Sequence, residues 1–241
     1  MAYRPTKPTL FDVPVSPYGA RVRYLIYSKG LESTFQIQSP KELGGLKSAE
    51  YKALHPFGKM PMLVLPDGLA LPESEVISQY ICDRYKDVGP DFVPADPEKR
   101  AKASWVTRLH DLYLTPIQGA MYKEMGVEER ADKIRQIRDL LDVFEDLIEG
   151  PFVLGGATST ADAALFPSFC FLTFMLPSVF GWEDVFKGRP KLKKWWEAMG
   201  SDVHAARVME EVNGALQEWR EGGRWTTINE QVKDTNYQWT Y

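Results

Sequence analysis

Ser16 opens the run Ser16-Pro17-Tyr18-Gly19-Ala20-Arg21-Val22-Arg23, where a strand-like stretch from Thr9 to Val13 gives way to helical spacing. A strand-to-helix junction gathers free backbone N–H groups and the positive end of the helix dipole, so it stabilises an anion. A serine hydroxyl at that turn can donate a hydrogen bond to a bound thiolate, which lowers the thiol pKa and raises the share of nucleophile at neutral pH. The same serine would serve equally well as an ordinary helix cap. A second constellation, Gly58-Lys59-Met60-Pro61, precedes the apolar run Met62 to Leu65. A cis bond before Pro61 would leave the Met60 backbone able to pair with an extended peptide, and Lys59 offers a cation for a carboxylate. The plainer reading is a strand-opening proline beside a surface lysine. In a third, Leu71-Pro72-Glu73-Ser74-Glu75-Val76-Ile77 marks a helix start. Ser74 and the free amides beside it could hold a carboxylate while Glu73 pairs with an ammonium group, which together suit one zwitterionic amino-acid end. A plain N-terminal turn, with its acids placed favourably against the dipole, remains open.

Each constellation needs an element to hold it. Thr9 to Val13 reads as a strand, Tyr18 to Ser28 as a helix ended by Gly30, and Thr34 to Gln38 as a second strand. Met62 to Leu65 and Leu69 to Leu71 flank Pro66-Asp67-Gly68, a hairpin signal. A helix from Glu73-Ser74 then carries Val76, Ile77, Tyr80 and Ile81 inward. This βαβ–ββα order is that of a thioredoxin-like layer over residues 1–88. Residues 89–97, with Gly89, Pro90, Pro94 and Pro97, read as a linker. Residues 98–225 are expected to be all helical. One helix spans Glu98 to Glu124 with Trp105, Leu109, Leu112 and Pro116 along one side and a kink at the proline. A second, Glu128 to Glu149, places Ile134, Ile137, Leu141, Phe144 and Ile148 at helical spacing. Others follow at Thr160 to Leu176, Pro190 to Met199 and Val203 to Glu218. Residues 226–241 form an aromatic tail without a clean period. It could fold over a site, meet a partner subunit or stay unordered.

Composition narrows the function classes. A chain of 241 residues suits two domains, and 44% hydrophobic content is enough for real cores. Net charge is −4, which gives no general field for nucleic acid or an anionic membrane, and Lys191 to Lys194 reads as a solvated helix start. Cys82 and Cys170 sit apart in apolar helical patterns, so neither a disulfide framework nor a thiolate metal site is expected, and a reducing compartment fits. His55, His110 and His204 are scattered, and no metal is expected. The N-terminus lacks the apolar core of a secretory signal, and no stretch is expected to reach the ~18 apolar residues of a membrane span. The expectation is a cytoplasmic protein.

Taken together, Ser-Pro-Tyr-Gly-x-Arg-Val-Arg, Lys-Met-Pro before a strand and Pro-Glu-Ser before a helix resemble the cytosolic glutathione transferases. Gly155 to Asp162 resembles the family's buried capping box, with Ser159 as cap, and Pro190-Lys191-Leu192 with Trp195-Trp196 is similar to its late helix. The likeness covers roughly residues 8 to 220, and the Ser-Pro-Tyr-Gly stretch looks most like the plant tau class and related serine-type branches. His55-Pro56-Phe57-Gly58 departs from the tau pattern. The resemblance implies a thioredoxin-like domain that binds glutathione, followed by an all-α domain for a hydrophobic electrophile. It implies that Ser16 hydrogen-bonds the glutathione sulfur, that the Met60 backbone pairs with the cysteinyl part beside a cis Pro61, and that Glu73 and Ser74 bind the γ-glutamyl end. Lys59, helped by Lys47, would meet the glycyl carboxylate. Val15, Trp105, Arg108, Leu109, Tyr113 and Tyr122 become second-substrate candidates at a site between the domains. An aromatic stripe at this spacing also builds cores. A symmetric homodimer through the third and fourth helices follows by the same resemblance.

The implied activity is conjugation of the glutathione thiolate to electrophilic small molecules, with peroxide reduction as a side activity. A thiol–disulfide exchanger would need a cysteine where Ser16 stands. The Ser-Ser-Cys signature of the zeta-type isomerases is missing. A non-catalytic glutathione or ligand binder is the alternative of a different class.

Overall fold

The computed structural model describes residues 3–241, which divide into two compact units, one ending at Val93 and the other Pro94–Tyr241. In the first unit β1 (Thr9–Phe11) leads into α1 (Pro17–Ser28) and β2 (Gln36–Gln38). A short 3-10 turn (Pro40–Leu43) and α2 (Ala49–Leu54) follow, then the hairpin of β3 (Met62–Val64) and β4 (Ala70–Pro72), and finally α3 (Ser74–Arg84). The sheet order is β2-β1-β3-β4, with β1 parallel to β2 and antiparallel to β3. Leu63 is the register pivot, opposite Leu10 on one side and Leu71 on the other. This is the expected thioredoxin-like order. The core strands β1 and β3 are buried along their whole length, which is why β3 reads as a continuous apolar run rather than an alternating one.

Ile77 and Ile81 of α3 are buried as their spacing predicts. Val76 is not; its side chain is 45% exposed, which corrects the inward placement expected for it. The helix turns Ser74, Ile77, Ser78 and Ile81 to the core, and Val76 falls outside that stripe. At the unit's end the Lys29 ammonium is buried and donates to the carbonyls of Tyr85, Val88 and Pro90 at 3.1, 2.9 and 2.9 Å. The stretch after α3 is thereby stapled to the end of α1.

The second unit is helical. It contains α4 (Pro97–Leu109), α5 (Thr115–Gln118), α6 (Val127–Leu147), α7 (Thr160–Phe180), α8 (Pro190–Ser201), α9 (Val203–Glu221) and α10 (Thr226–Gln231). The single kinked helix expected from Glu98 to Glu124 is instead α4, a π-helical turn over His110–Leu114, α5 and a 3-10 turn at Gly119–Met121. Pro116 has no N–H for the Leu112 carbonyl, and the backbone widens just before it, with Thr115 N–H reaching back to the His110 carbonyl. The apolar side inferred from Trp105, Leu109 and Leu112 is the outer one. Trp105 and Leu112 are half exposed, and the buried stripe is Ala103, Val106, Thr107, His110 and Leu114. By contrast Ile134, Ile137, Leu141, Phe144 and Ile148 are all buried along α6 as expected.

Helix α7 overturns another expectation. Thr160–Phe180 is long and apolar enough to cross a membrane, with a mean hydropathy of 1.8 in its most apolar window, although no such stretch was anticipated. Of that window 72% is buried inside the protein, so its apolarity serves the core of the unit. Asp162 starts this helix. Its buried carboxylate accepts from Val153 N–H, Ser159 N–H, Ser159 Oγ–H and Trp195 Nε1–H at 2.8 to 2.9 Å, as the expected capping arrangement requires. The aromatic tail is ordered against this same bundle. Trp182 Nε1 donates to the Trp239 carbonyl at 2.7 Å, Trp225 Nε1 donates to the Met121 carbonyl at 3.0 Å, and Trp225 and Trp239 are buried.

Candidate functional site

Ser16 is the N-cap of α1. Its backbone is extended, and its Oγ accepts the Gly19 N–H at 3.1 Å. The cap occupies a lone pair and leaves the hydroxyl proton available to donate, so capping and anion binding are compatible at this residue. Pro17 at the first helical position leaves no wasted donor there, and the remaining first-turn amides face the same end. Ser16 is 6% exposed, so a hydrogen bond made there is little diluted by water.

Met60 lies just ahead of β3, and the Met60–Pro61 peptide bond is cis. Neither the Met60 N–H nor its carbonyl bonds another backbone group among the described residues, so both can meet an extended peptide. Tyr51 steadies this loop by donating from its buried hydroxyl to the Lys59 carbonyl at 2.8 Å. Burial, with Asp12 adding to it, holds that hydroxyl well above the usual phenol range, so it stays a donor.

Glu73 stands at the head of α3 with φ 69° and ψ 117°, the one non-glycine residue with positive φ among the described residues. Such backbone costs a side-chain-bearing residue ~1–3 kcal/mol and gathers at sites of function. No side chain caps this helix, so its first amides are open to an anion. Ser74 is buried, while the Glu73 side chain is exposed beside it. His55 is also buried here. Burial holds its imidazole below the ordinary value, Glu73 pulls it back up and Lys59 pushes it further down. The imidazole is thus neutral at physiological pH and shares its surroundings with both charges.

A cavity of about 380 Å³ opens in the same unit, lined by Val13, Lys41, Gly45, Leu46, Lys47 and Met60 among others. It brings Lys47 and Met60 together; Lys59 is exposed and is not part of its wall. Lys41 was not singled out in the sequence. Its signal is the Ser39-Pro40 turn, where Ser39 Oγ accepts the Lys41 N–H at 3.2 Å and begins the 3-10 turn.

The second-substrate candidates are less unified. Val15 is half-buried next to Ser16. In the second unit Trp105, Arg108 and Tyr113 are exposed, Leu109 is half-buried, and all four lie on α4 or its π-helical extension. Tyr122 packs into an aromatic cluster with Phe171 and Trp219, ring centroids 5.5 and 5.6 Å away. Tyr122 is half-buried there. Cys82 and Cys170 are both buried, and burial pushes the Cys82 thiol up to about 12. Among the described residues no group of three or more His, Cys, Asp or Glu side chains is placed to hold a metal.

The family model for the glutathione S-transferase N-terminal domain matches residues 10–90, and that for the C-terminal domain matches residues 127–198. Glutathione S-transferase 3 of Zea mays is 31% identical over 209 residues, spanning 80% of this chain and 88% of the relative. Glutathione S-transferase F14 of Arabidopsis thaliana is 28% identical, over 78% of this chain and 81% of its own length. Glutathione S-transferase U17 of the same plant is 29% identical, over 81% and 87%. Among solved structures, glutathione transferase F7 from Populus trichocarpa superposes with a TM-score of 0.73 at 23% identity, covering 86% of this chain and 99% of that one.

Proposed function

We propose a chemical role for Ser16 from one premise: the chain belongs to the cytosolic glutathione transferase family of enzymes. In this reading glutathione binds in the first unit, and its sulfur is held as the thiolate by the Ser16 hydroxyl over the mouth of α1. The thiolate then attacks an electrophilic carbon, with peroxide reduction as a side activity. Ser16 forms no covalent bond. It stabilises the nucleophile, and orientation beside the second substrate supplies much of the remaining rate.

The tripeptide's other parts fall to the groups around this point. The Met60 backbone pairs with the cysteinyl part. Glu73 takes the γ-glutamyl ammonium, while Ser74 and the uncapped amides of α3 take the adjoining carboxylate. Lys47 and Lys59 meet the glycyl carboxylate, joined by Lys41 from the cavity wall. In the second unit Trp105, Arg108, Leu109 and Tyr113 contact the hydrophobic electrophile, with Tyr122 supporting them through its aromatic cluster. The active form is a homodimer in the cytoplasm, for which the exposed Val76 and Leu112 provide apolar surface. Thiol–disulfide exchange is disfavoured by the burial of both cysteines.

The observation that carries this reading is the Ser16 hydroxyl, fixed by Gly19 N–H yet with its proton left to donate. Turnover of a chloronitroaromatic substrate by Ser16→Ala tests it. A fall in kcat/KM of roughly tenfold to a hundredfold is expected for loss of one hydrogen bond to a charged group. Unchanged turnover would remove Ser16 from the chemistry.

A further inference from the structure

Beneath the helix mouth lies a charged pair that the Ser16 reading does not use. Asp12 follows β1, Arg23 lies one turn beyond Gly19 on α1, and their side chains are 1% and 4% exposed. Arg23 Nε meets Asp12 Oδ2 at 3.1 Å, and Arg23 Nη2 donates to the Pro14 carbonyl at 2.7 Å. One guanidinium therefore grips the start and the middle of the short loop that delivers Ser16. The Asp12 carboxylate is packed against the first turn of α1 so closely that a Cβ at Gly19 would overlap all of its carboxyl atoms. Gly19 is also the residue whose N–H holds Ser16 Oγ.

Two negative charges would thus share one helix mouth, the carboxylate and the sulfur. An uncompensated buried carboxylate so near would repel a thiolate and oppose its formation. Arg23 removes that conflict while fixing the loop. We propose that Asp12 and Arg23 are positioning residues that jointly set the acidity of the glutathione thiol, Arg23 by cancelling the Asp12 charge and by holding the Pro14 carbonyl. The proposal rests on the Ser16 reading.

Titratable groups near the pair include Tyr51 and Arg21. Tyr51 of α2 feels Asp12 and stays protonated, with its hydroxyl bonded to the Lys59 carbonyl. Arg21 of α1 is joined to Glu75 of α3 at 3.3 Å, so those two charges also balance.

The test is the ionisation of bound glutathione, followed by thiolate ultraviolet absorbance against pH in the full-length protein. The wild type and Ser16→Ala come first. If the wild type does not acidify the thiol, or if Ser16→Ala acidifies it equally, the Ser16 reading itself fails. With that established, Arg23→Gln should raise the bound thiol's pKa by about one pH unit, and Arg23→Lys should restore most of that acidity. The double variant Asp12→Asn/Arg23→Gln should return toward the wild-type value, because both charges have gone. Asp12→Asn alone, which keeps the protein testable if Arg23→Gln does not fold, should shift the pKa downward by removing the buried negative charge from the helix mouth. A purely structural pair would lower kcat at every pH and leave the ionisation where it was. An unshifted pKa in Arg23→Gln, a double variant as shifted as the single one, or an unshifted or raised pKa in Asp12→Asn would overturn the proposal.

Discussion

Replacing Glu73 with glycine should make the protein more stable and worse at binding glutathione. Glu73 holds φ 69° and ψ 117° at the head of α3, a region that only glycine enters freely. Holding a side-chain-bearing residue there costs ~1–3 kcal/mol. Glycine removes that strain but adds ~0.4–1 kcal/mol of unfolded-state entropy to be lost on folding. The Ile77 N–H still finds the residue 73 carbonyl, now 3.0 Å away, because that bond uses backbone only. The net gain is about 1 kcal/mol, which raises the melting temperature by roughly 2–4 °C in a chain of this size. Binding moves the other way. Loss of a charged partner for the γ-glutamyl ammonium removes ~1.5–3 kcal/mol, a tenfold to hundredfold weaker Kd. Differential scanning fluorimetry without ligand and calorimetric titration with glutathione read the two effects separately. A variant that melts lower, or that binds glutathione as tightly as the wild type, would refute the view that strain at this residue is retained for the ligand.

Asp162→Ala leaves Val153, Ser159 and Trp195 with donors facing an empty buried position, and urea unfolding should show a loss of about 4 kcal/mol. Lys29→Met strips a cation from three carbonyls and should lower stability by about 3 kcal/mol, with earlier proteolysis around Val88 as the local sign. Because the Cys82 thiol is held near 12 and Cys170 is fully buried, neither should react with an aromatic disulfide reagent in native protein between about pH 7 and 9. Rapid labelling with loss of activity would bring a cysteine into the chemistry.

Much of this fold is readable because local and global preferences agree. The apolar spacing of Ile134, Ile137, Leu141 and Phe144 matches the buried face of α6, which Arg130 and Ala131 extend, and the Pro66-Asp67-Gly68 hairpin falls where turn chemistry puts it. Periodicity misleads where apolar residues lie outward. Trp105 and Leu112 mimic a core stripe on α4 and the turn after it, while the true stripe includes Thr107 and His110, whose polarity hides it. His110 is satisfied by Ser168 and Asp111, each 2.8 Å away, a pairing that only the tertiary structure supplies. The positions of Ser16, Met60 and Glu73 at element starts follow from local signals. The strained backbone of Glu73 does not, since nothing in its residue type announces positive φ. Lys41 offers only the Ser39-Pro40 turn as a local signal, and that turn says nothing of the cavity beside it.

A crystal structure of this protein with glutathione bound tests the central claim most directly. The account predicts the sulfur within hydrogen-bonding distance of Ser16 Oγ, with Gly19 N–H still on the far side of that oxygen. A sulfur seated away from this hydroxyl, or a tripeptide bound elsewhere in the first unit, would contradict it.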